Sequence, residues 1–431
     1  MRTKLLSLCL LLFSPTLLAG ISIEHWTTDN GARVYYASAP ELPILDLQLT
    51  FDAGSARDNS KDGVALLTNA LLSEGAGNLN AQQIAEQFEG LGAQFGNDSQ
   101  RDMATLTLRS LSEEKVLNAA LETLTLVLTK PTFPADAFER ERKRLLVGIE
   151  QRKQSPGDLA DVAFYKNLFN SHPYATQPSG IENTVKALAV DDLKSFYQQY
   201  YVASNLVIAI VGNVDRKQAE QIANNLAKDL PKGNPAAPIP TVAALEKSEV
   251  IKIDHPSTQT HVLMGQPGVK RGDPDYYALY VGNHILGGSG LVSRLSDEIR
   301  EKRGLAYSSY SFFMPMREFG PFQIGLQTRN DQTDEALKVV DSLLKDFVEK
   351  GPTEAELIAS KKNITGGFPL RISSNKKILG YVAMIGFYGL PLDYLDTFNA
   401  SVESLTVADI QDAFKRRVDP EKMVTVLVGK Q

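Results

Sequence analysis

The chain contains five histidines, His25, His172, His255, His261 and His284, and their spacing decides what chemistry they can share. Two imidazoles on one helix hold zinc when they stand four residues apart, with a nearby glutamate to activate water, as in His-Glu-x-x-His or its inverted form His-x-x-Glu-His. No such pair occurs: His255 and His261 are six residues apart around a turn, and His284 runs into Gly287-Gly288. The spacing points to surface or hydrogen-bonded structural histidines, with a His-His-carboxylate site assembled from distant segments as the alternative. Ser289 sits in Gly-Gly-Ser-Gly-Leu and not in the Gly-x-Ser-x-Gly elbow that exposes a nucleophile. No Lys-Ser or Lys-Thr follows these glycines to complete a phosphate loop, so they read as a tight turn between helices.

Two stretches carry more information. In Gly287 to Tyr307, GGSGLVSRLSDEIREKRGLAY, Arg300 and Tyr307 flank the turn at Gly304-Leu305. Taken alone, Arg300 reads as a solvated charge and Tyr307 as a half-buried strand residue. The second stretch, Gly63 to Gly77, reads GVALLTNALLSEGAG. It is a helix with a glycine stop, an apolar face of Val64, Leu67, Leu71 and Leu72, one polar position at Asn69, and no strong metal ligand or base along its helical part.

These residues must be positioned by a large chain. Its 431 residues imply two to four structural units, and 43% apolar residues suffice to fill real cores. Acidic residues outnumber basic ones by 51 to 45, which gives no general attraction to nucleic acid or anionic lipid. The first twenty residues, MRTKLLSLCLLLFSPTLLAG, set Arg2 and Lys4 before a short apolar run interrupted by Pro15. This is the pattern of a cleaved secretory signal and not of a stable membrane span, with cleavage near Ala19 and a bacterial periplasm as the destination. The sole cysteine, Cys9, lies inside that segment, so the mature chain would have no disulfide, thiol catalysis or cysteine-zinc site.

Element order repeats along the chain. Residues 32–36 and 45–51 alternate as strands, Gly63 to Ser73 and Ala81 to Gly90 as helices, and Met103 to Ser110 as a strand. Lys115 to Leu128 and Phe138 to Gln154 are helices, and Leu206 to Val211 is apolar on both faces, as a central strand is. Four prolines between Pro231 and Pro240 mark a linker. Beyond it come strand Thr260 to Gly265, helices Tyr276 to Leu286 and Leu291 to Arg300, strands Ala306 to Met314 and Phe322 to Gln327, helices from Asp331, Glu354 and Leu405, and a last strand, Met423 to Val428. We therefore expect a duplicated α+β chain: a signal at 1–20, one unit at 21–230, a linker at 231–248 and a second unit at 249–431.

The Gly287 to Tyr307 stretch resembles the second-half signature of the pitrilysin/insulinase-type zinc peptidases, which include the mitochondrial processing peptidase. The segment His172-Pro-Tyr-Ala, then Gly180 and Phe196-Tyr-x-x-Tyr-Tyr201, and the helix beginning Phe138-Glu-Arg-Glu-Arg-Lys are similar to first-half segments of that family. The resemblance implies two homologous α/β sandwich halves, like those of the mitochondrial processing peptidase, forming a clamshell. It also implies that Arg300 and Tyr307 hold substrate backbone near a metal.

Where active members carry His-x-x-Glu-His, this chain has Leu66, Asn69 and Ala70, and the third zinc ligand falls on Gly148 if Glu141 is the matched glutamate. Glu74, Glu141 and Glu150 remain nearby, but carboxylates without an imidazole make a poor zinc site. The resemblance thus implies no metal in this chain and no independent proteolysis. It suggests a non-catalytic subunit that offers Arg300, Tyr307 and a chamber wall to a homologous His-x-x-Glu-His partner carrying zinc, with an extended peptide as substrate. Edge strands are the expected docking surfaces, namely the strand following Gly96-Asn97-Asp98 and the strand starting at Tyr307. The rivals are a peptide-binding or assembly protein without a proteolytic role, such as a homodimer, and a zinc endopeptidase with atypical ligands.

Overall fold

A computed structural model describes residues 21–430; the expected signal segment, with Cys9 and its cleavage point, lies outside them. Strand Leu206–Gly212 is buried along its whole length and stands inside a six-stranded sheet. Its neighbours are Arg33–Ser38, parallel to it, and Ile44–Phe51, antiparallel. Outside these lie Glu24–Thr27 on one side, and Ala104–Leu111 then Gln94–Ser99 on the other. The second half repeats the plan with five strands. Val424–Gly429 lies between Glu249–Asp254, parallel, and Gln259–Pro267, antiparallel, followed by Pro321–Arg329 and the outer strand Ala306–Phe313. The repeated order of elements is thus a repeated topology, with Gln94–Ser99 and Ala306–Phe313 at matching edges.

A strand apolar on both faces needs cover on both. On one face of the first sheet, Leu206, Ile208 and Ile210 pack with helices of their own half, Val64–Leu71, Glu114–Thr129 and Arg216–Ala227. The alternate residues Val207, Ala209 and Val211 pack with Val382, Ala383 and Ile385, from helix Asn375–Tyr388 of the second half. The loan is returned: Val424, Val426 and Val428 pack with Ala160, Phe164 and Leu168, from helix Pro156–Phe169 of the first half. Each half therefore covers its sheet with a helix from the other. The two-unit α+β architecture is present.

The segment 231–248 has no helix or strand, but it is tied down. Its Ala237 carbonyl accepts from Arg57 Nη1, its Pro240 carbonyl is 2.8 Å from His172 Nε2, and Ile239 and Val242 are buried. The His172-Pro173-Tyr174 motif also reaches the other half. Burial pushes the His172 imidazole below its ordinary value, and its Nδ1 accepts the Tyr174 N–H. The Tyr174 hydroxyl donates to the buried Asp102 at 2.5 Å and accepts from the Glu318 N–H at 3.1 Å. Asp102 also accepts from Tyr388 Oη at 2.9 Å and from the Arg317 N–H at 2.8 Å, so one carboxylate gathers donors from both halves.

Two predictions follow from this packing. A Cβ at Gly386 would stand 2.6 Å from the ring of Tyr35, and one at Gly380 of the same helix would meet nothing within 4 Å. Helix propensity favours alanine by up to about 1 kcal/mol at both positions, and overpacking costs about 1–3 kcal/mol only at the first. Urea unfolding should show Gly386→Ala destabilised and Gly380→Ala unchanged or stabilised; equal effects would refute tight contact between helix and sheet. Tyr174→Phe strands the Glu318 N–H and removes one donor from Asp102, and should lower stability by about 1–3 kcal/mol. Wild-type stability in that variant would show that the junction hydrogen bonds are idle.

Candidate functional site

The helix expected at Gly63 to Ser73 is Val64–Leu71. It begins at Gly63, whose φ of 97° is left-handed and suits only glycine without strain. Asp58 closes its N-terminus, accepting the N–H groups of Gly63 at 2.7 Å and Ala65 at 2.9 Å. Burial pushes that carboxyl up to about 8, against the downward pull of the two N–H bonds. Val64, Leu67, Leu71 and Leu72 are buried in the core as their spacing requires. Leu66 and Ala70, one turn apart on another face, are half-buried.

Asn69 is buried, and its amide nitrogen is engaged. Its Nδ2 donates to the Thr105 carbonyl and to the Tyr201 hydroxyl, both at 3.3 Å, and burial raises the phenol of Tyr201 far above its ordinary range. The main-chain carbonyl of Asn69 accepts from Asn97 Nδ2 at 2.7 Å, which fastens the helix to strand Gln94–Ser99. Gly148 lies on helix Ala135–Arg152, and a Cβ there would meet nothing within 4 Å. The nearby carboxylates are engaged with cations: Glu74 with Arg140, Glu141 with Arg140 and Arg144, and Glu150 with Lys153.

Leucine, alanine and glycine offer a metal no lone pair, and the asparagine amide is committed to Thr105 and Tyr201. These residues do not fit the zinc that the family's active members hold. Among the described residues, no group of three or more His, Cys, Asp and Glu side chains is placed to hold a metal ion. His25, His172 and His284 have structural partners. His25 stacks on Tyr35, and His284 lies between Ser360 Oγ at 2.8 Å and Asn363 Oδ1 at 3.1 Å, with burial lowering its imidazole.

One docking edge requires correction. The strand following Gly96-Asn97-Asp98 is Ala104–Leu111, which is interior, between Ile44–Phe51 and Gln94–Ser99. The edge is Gln94–Ser99 itself, which contains those three residues. Its glycine and polar side chains lack the continuous β-branched pattern of a strand, so the alternating run after it drew the assignment.

Strand Ala306–Phe313 is an edge, as expected. At its start, the Arg300 guanidinium lies over the Tyr307 ring, 4.8 Å from the centroid, and Tyr307 is 82% exposed. The turn that joins them is set by Gly304, at φ 60°, and by a bond from the Leu305 N–H to the Ile299 carbonyl at 2.8 Å. Arg300 sits in a wide π-helical turn, Asp297–Glu301, with Nε 3.3 Å from Glu301. The structure thus pairs Arg300 with Tyr307, while Leu66, Asn69 and Ala70 belong to the other sheet's helices. The sequence reading missed Asp102 and Arg271, whose settings arise only when the halves meet.

The comparisons agree with this architecture. The family model for insulinase, peptidase family M16, matches residues 33–179, and that for the peptidase M16 inactive domain matches residues 187–364. The non-peptidase homologue YmxG of Helicobacter pylori is 27% identical, over 97% of this chain and 98% of its own. An uncharacterized zinc protease of Streptomyces coelicolor is also 27% identical, over 90% of this chain and 86% of its own. The crystal structure of a peptidase M16 inactive domain from Pseudomonas fluorescens superposes with a TM-score of 0.93 at 42% identity, covering 95% of this chain and 98% of that one. A protease from Helicobacter pylori superposes with a TM-score of 0.87 at 20% identity, covering 95% and 99%. The chain belongs to the M16 peptidase family, as a non-catalytic homologue of its zinc peptidases.

Proposed function

We propose that this chain binds extended peptides without cutting them. The observation that carries this reading is the junction of an edge strand, Gln94–Ser99, with a helix that presents Leu66 and Ala70 where the resembled peptidases carry imidazoles. An edge strand offers main-chain donors and acceptors to any extended peptide, largely regardless of sequence. Beside it, an apolar helix face favours peptide side chains and supplies neither a metal nor a base. The basic-then-apolar segment Met1 to Gly20 supports placing the protein in the periplasm.

A second reading rests on the Arg300–Tyr307 pair. Tyr307 is exposed at the other sheet edge with the half-buried Arg300 over its ring, as suits groups offered to a second molecule. In that reading a homologous His-x-x-Glu-His subunit holds the zinc, and this chain lends the guanidinium and phenol to the shared substrate.

The first reading is tested with the purified chain and a labelled ten-residue peptide. The peptide should bind and remain intact with or without added zinc, and a copy N-methylated at alternate residues should not bind. Leu66→Glu should weaken binding about tenfold, the scale of losing one buried leucine contact. Cleavage accompanied by stoichiometric zinc, or equal binding of the methylated copy, would sink the proposal. The second reading predicts that a co-expressed His-x-x-Glu-His homologue forms an active complex whose turnover drops in Arg300→Ala and Tyr307→Phe, with assembly unchanged; full activity in both variants refutes it.

A further inference from the structure

We propose that the space behind the second edge strand is a binding site for the C-terminal carboxylate of a peptide whose last residue is apolar. The key group is Arg271. Its Nε is buried without a hydrogen-bond partner, and its guanidinium lies 5.5 Å from the ring centroid of Tyr388 with no carboxylate beside it. A buried guanidinium donor left unmade is costly, and a carboxylate is the partner whose geometry matches the fork.

Arg271 stands in the wall between two cavities, of about 540 and 350 Å³, which also share Pro315. The smaller is lined by Arg371, Tyr276, Tyr280 and Phe312 among others, and no carboxylate faces it. Arg371 is engaged by the phenols of Tyr280 and Tyr381, which leaves its charge uncompensated by any acid there. In the larger cavity the one carboxylate is Asp102, already saturated by Tyr174, Tyr388 and the Arg317 N–H. The chain as a whole carries a net charge of −6, so positive potential at this spot is a local feature and not a consequence of composition.

The rest of the site specifies what carries the carboxylate. Met103, Met314, Met316 and Met384 wall the larger cavity, and thioether side chains adapt to many apolar shapes. Ser311, Phe312 and Phe313 of the edge strand enter the wall of the smaller one. A peptide paired along Ala306–Phe313 would therefore bring its terminus to Arg271 and its last side chain to the methionines. The volumes suit one or two residues, since pockets for small ligands run from about 300 to 1,000 Å³. The inference does not rest on the reading of the first edge strand, which belongs to the other sheet.

The test uses the purified full chain and a fluorescein-labelled hexapeptide ending in leucine, compared with its C-terminal amide by fluorescence anisotropy. The free acid should bind, and the amide should bind about 10- to 100-fold more weakly, the scale of a charge-assisted hydrogen bond. Arg271→Gln should erase the difference between acid and amide, and Arg371→Gln should reduce it. Absence of binding, equal binding of acid and amide, or a preference that survives in a correctly folded Arg271→Gln protein would overturn the proposal. If Arg271→Gln melts early, Arg371→Gln decides by the same criterion. N-acetyl-leucine displacing the label at the concentration of unlabelled hexapeptide would overturn the peptide assignment in favour of a free acid.

Discussion

Neither sheet can bury its second face without a helix from the other half. Val207, Ala209 and Val211 depend on helix Asn375–Tyr388, and Val424, Val426 and Val428 depend on helix Pro156–Phe169. Burying a large aliphatic or aromatic side chain contributes about 1.5–3 kcal/mol, so exposing both faces would cost on the order of tens of kcal/mol, against a typical net stability of about 5–15 kcal/mol. Parting the halves is therefore close to unfolding the chain. The Asp102 cluster adds directional bonds at the same junction, and the docked segment 231–248 closes it along one side. The two edge strands are consequently held at a fixed relation, and the molecule presents its surfaces as a rigid frame.

Much of this frame was legible in the residues, and the exceptions have physical causes. Alternation and apolar runs located Leu206–Gly212, Val424–Gly429 and helices such as Val64–Leu71, Glu114–Thr129 and Thr333–Lys350 because those patterns report burial on one or two faces, whereas helices Pro156–Phe169 and Arg216–Ala227 were not read. Helix Asn375–Tyr388 escaped because it is buried among partners from both halves, and Gly380 and Gly386 break its periodicity; the close approach to Tyr35 explains the second glycine but no local rule does. Strand Glu249–Asp254 escaped because it is an edge with exposed charged and apolar residues in alternation, next to a proline-rich stretch. At Gly287–Tyr307 the helical pattern was visible, but the π-helical turns His284–Gly288 and Asp297–Glu301 were not. The seven-residue step from Arg300 to Tyr307 still brought guanidinium and ring together, since it spans a turn whose geometry is local.

The site helix shows how a catalytic position becomes scaffold. An imidazole or carboxylate left buried without a metal costs several kcal/mol, and replacement by Leu66 and Ala70 removes that cost. Asn69 is the exception, and it persists as a polar residue because its side-chain Nδ2 has partners in the Thr105 carbonyl and the Tyr201 hydroxyl, while its main-chain carbonyl accepts from Asn97. The last of these bonds ties the helix to the edge strand, so the local architecture holds without a metal.

The same accounting gives Arg271 its meaning. Arg57 binds Asp52, Arg109 binds Asp46, Arg294 binds Glu356 and Arg417 binds Asp273 and Asp275, so partly buried guanidinium groups in this protein are generally matched by carboxylates. Arg101 is an instructive comparison. It has no ion pair, but it stacks on Tyr165 at 3.8 Å and donates to the Tyr174 carbonyl and to Gln177, so its buried donors are spent. Arg271 has the stacking ring and lacks the acceptors. No sequence pattern marks it, because Lys270-Arg271-Gly272-Asp273 reads as an ordinary charged turn and Asp273 is claimed by Arg417. Its exceptional state exists only after the fold has distributed every nearby carboxylate elsewhere, and an acceptor from outside the chain is what would complete it.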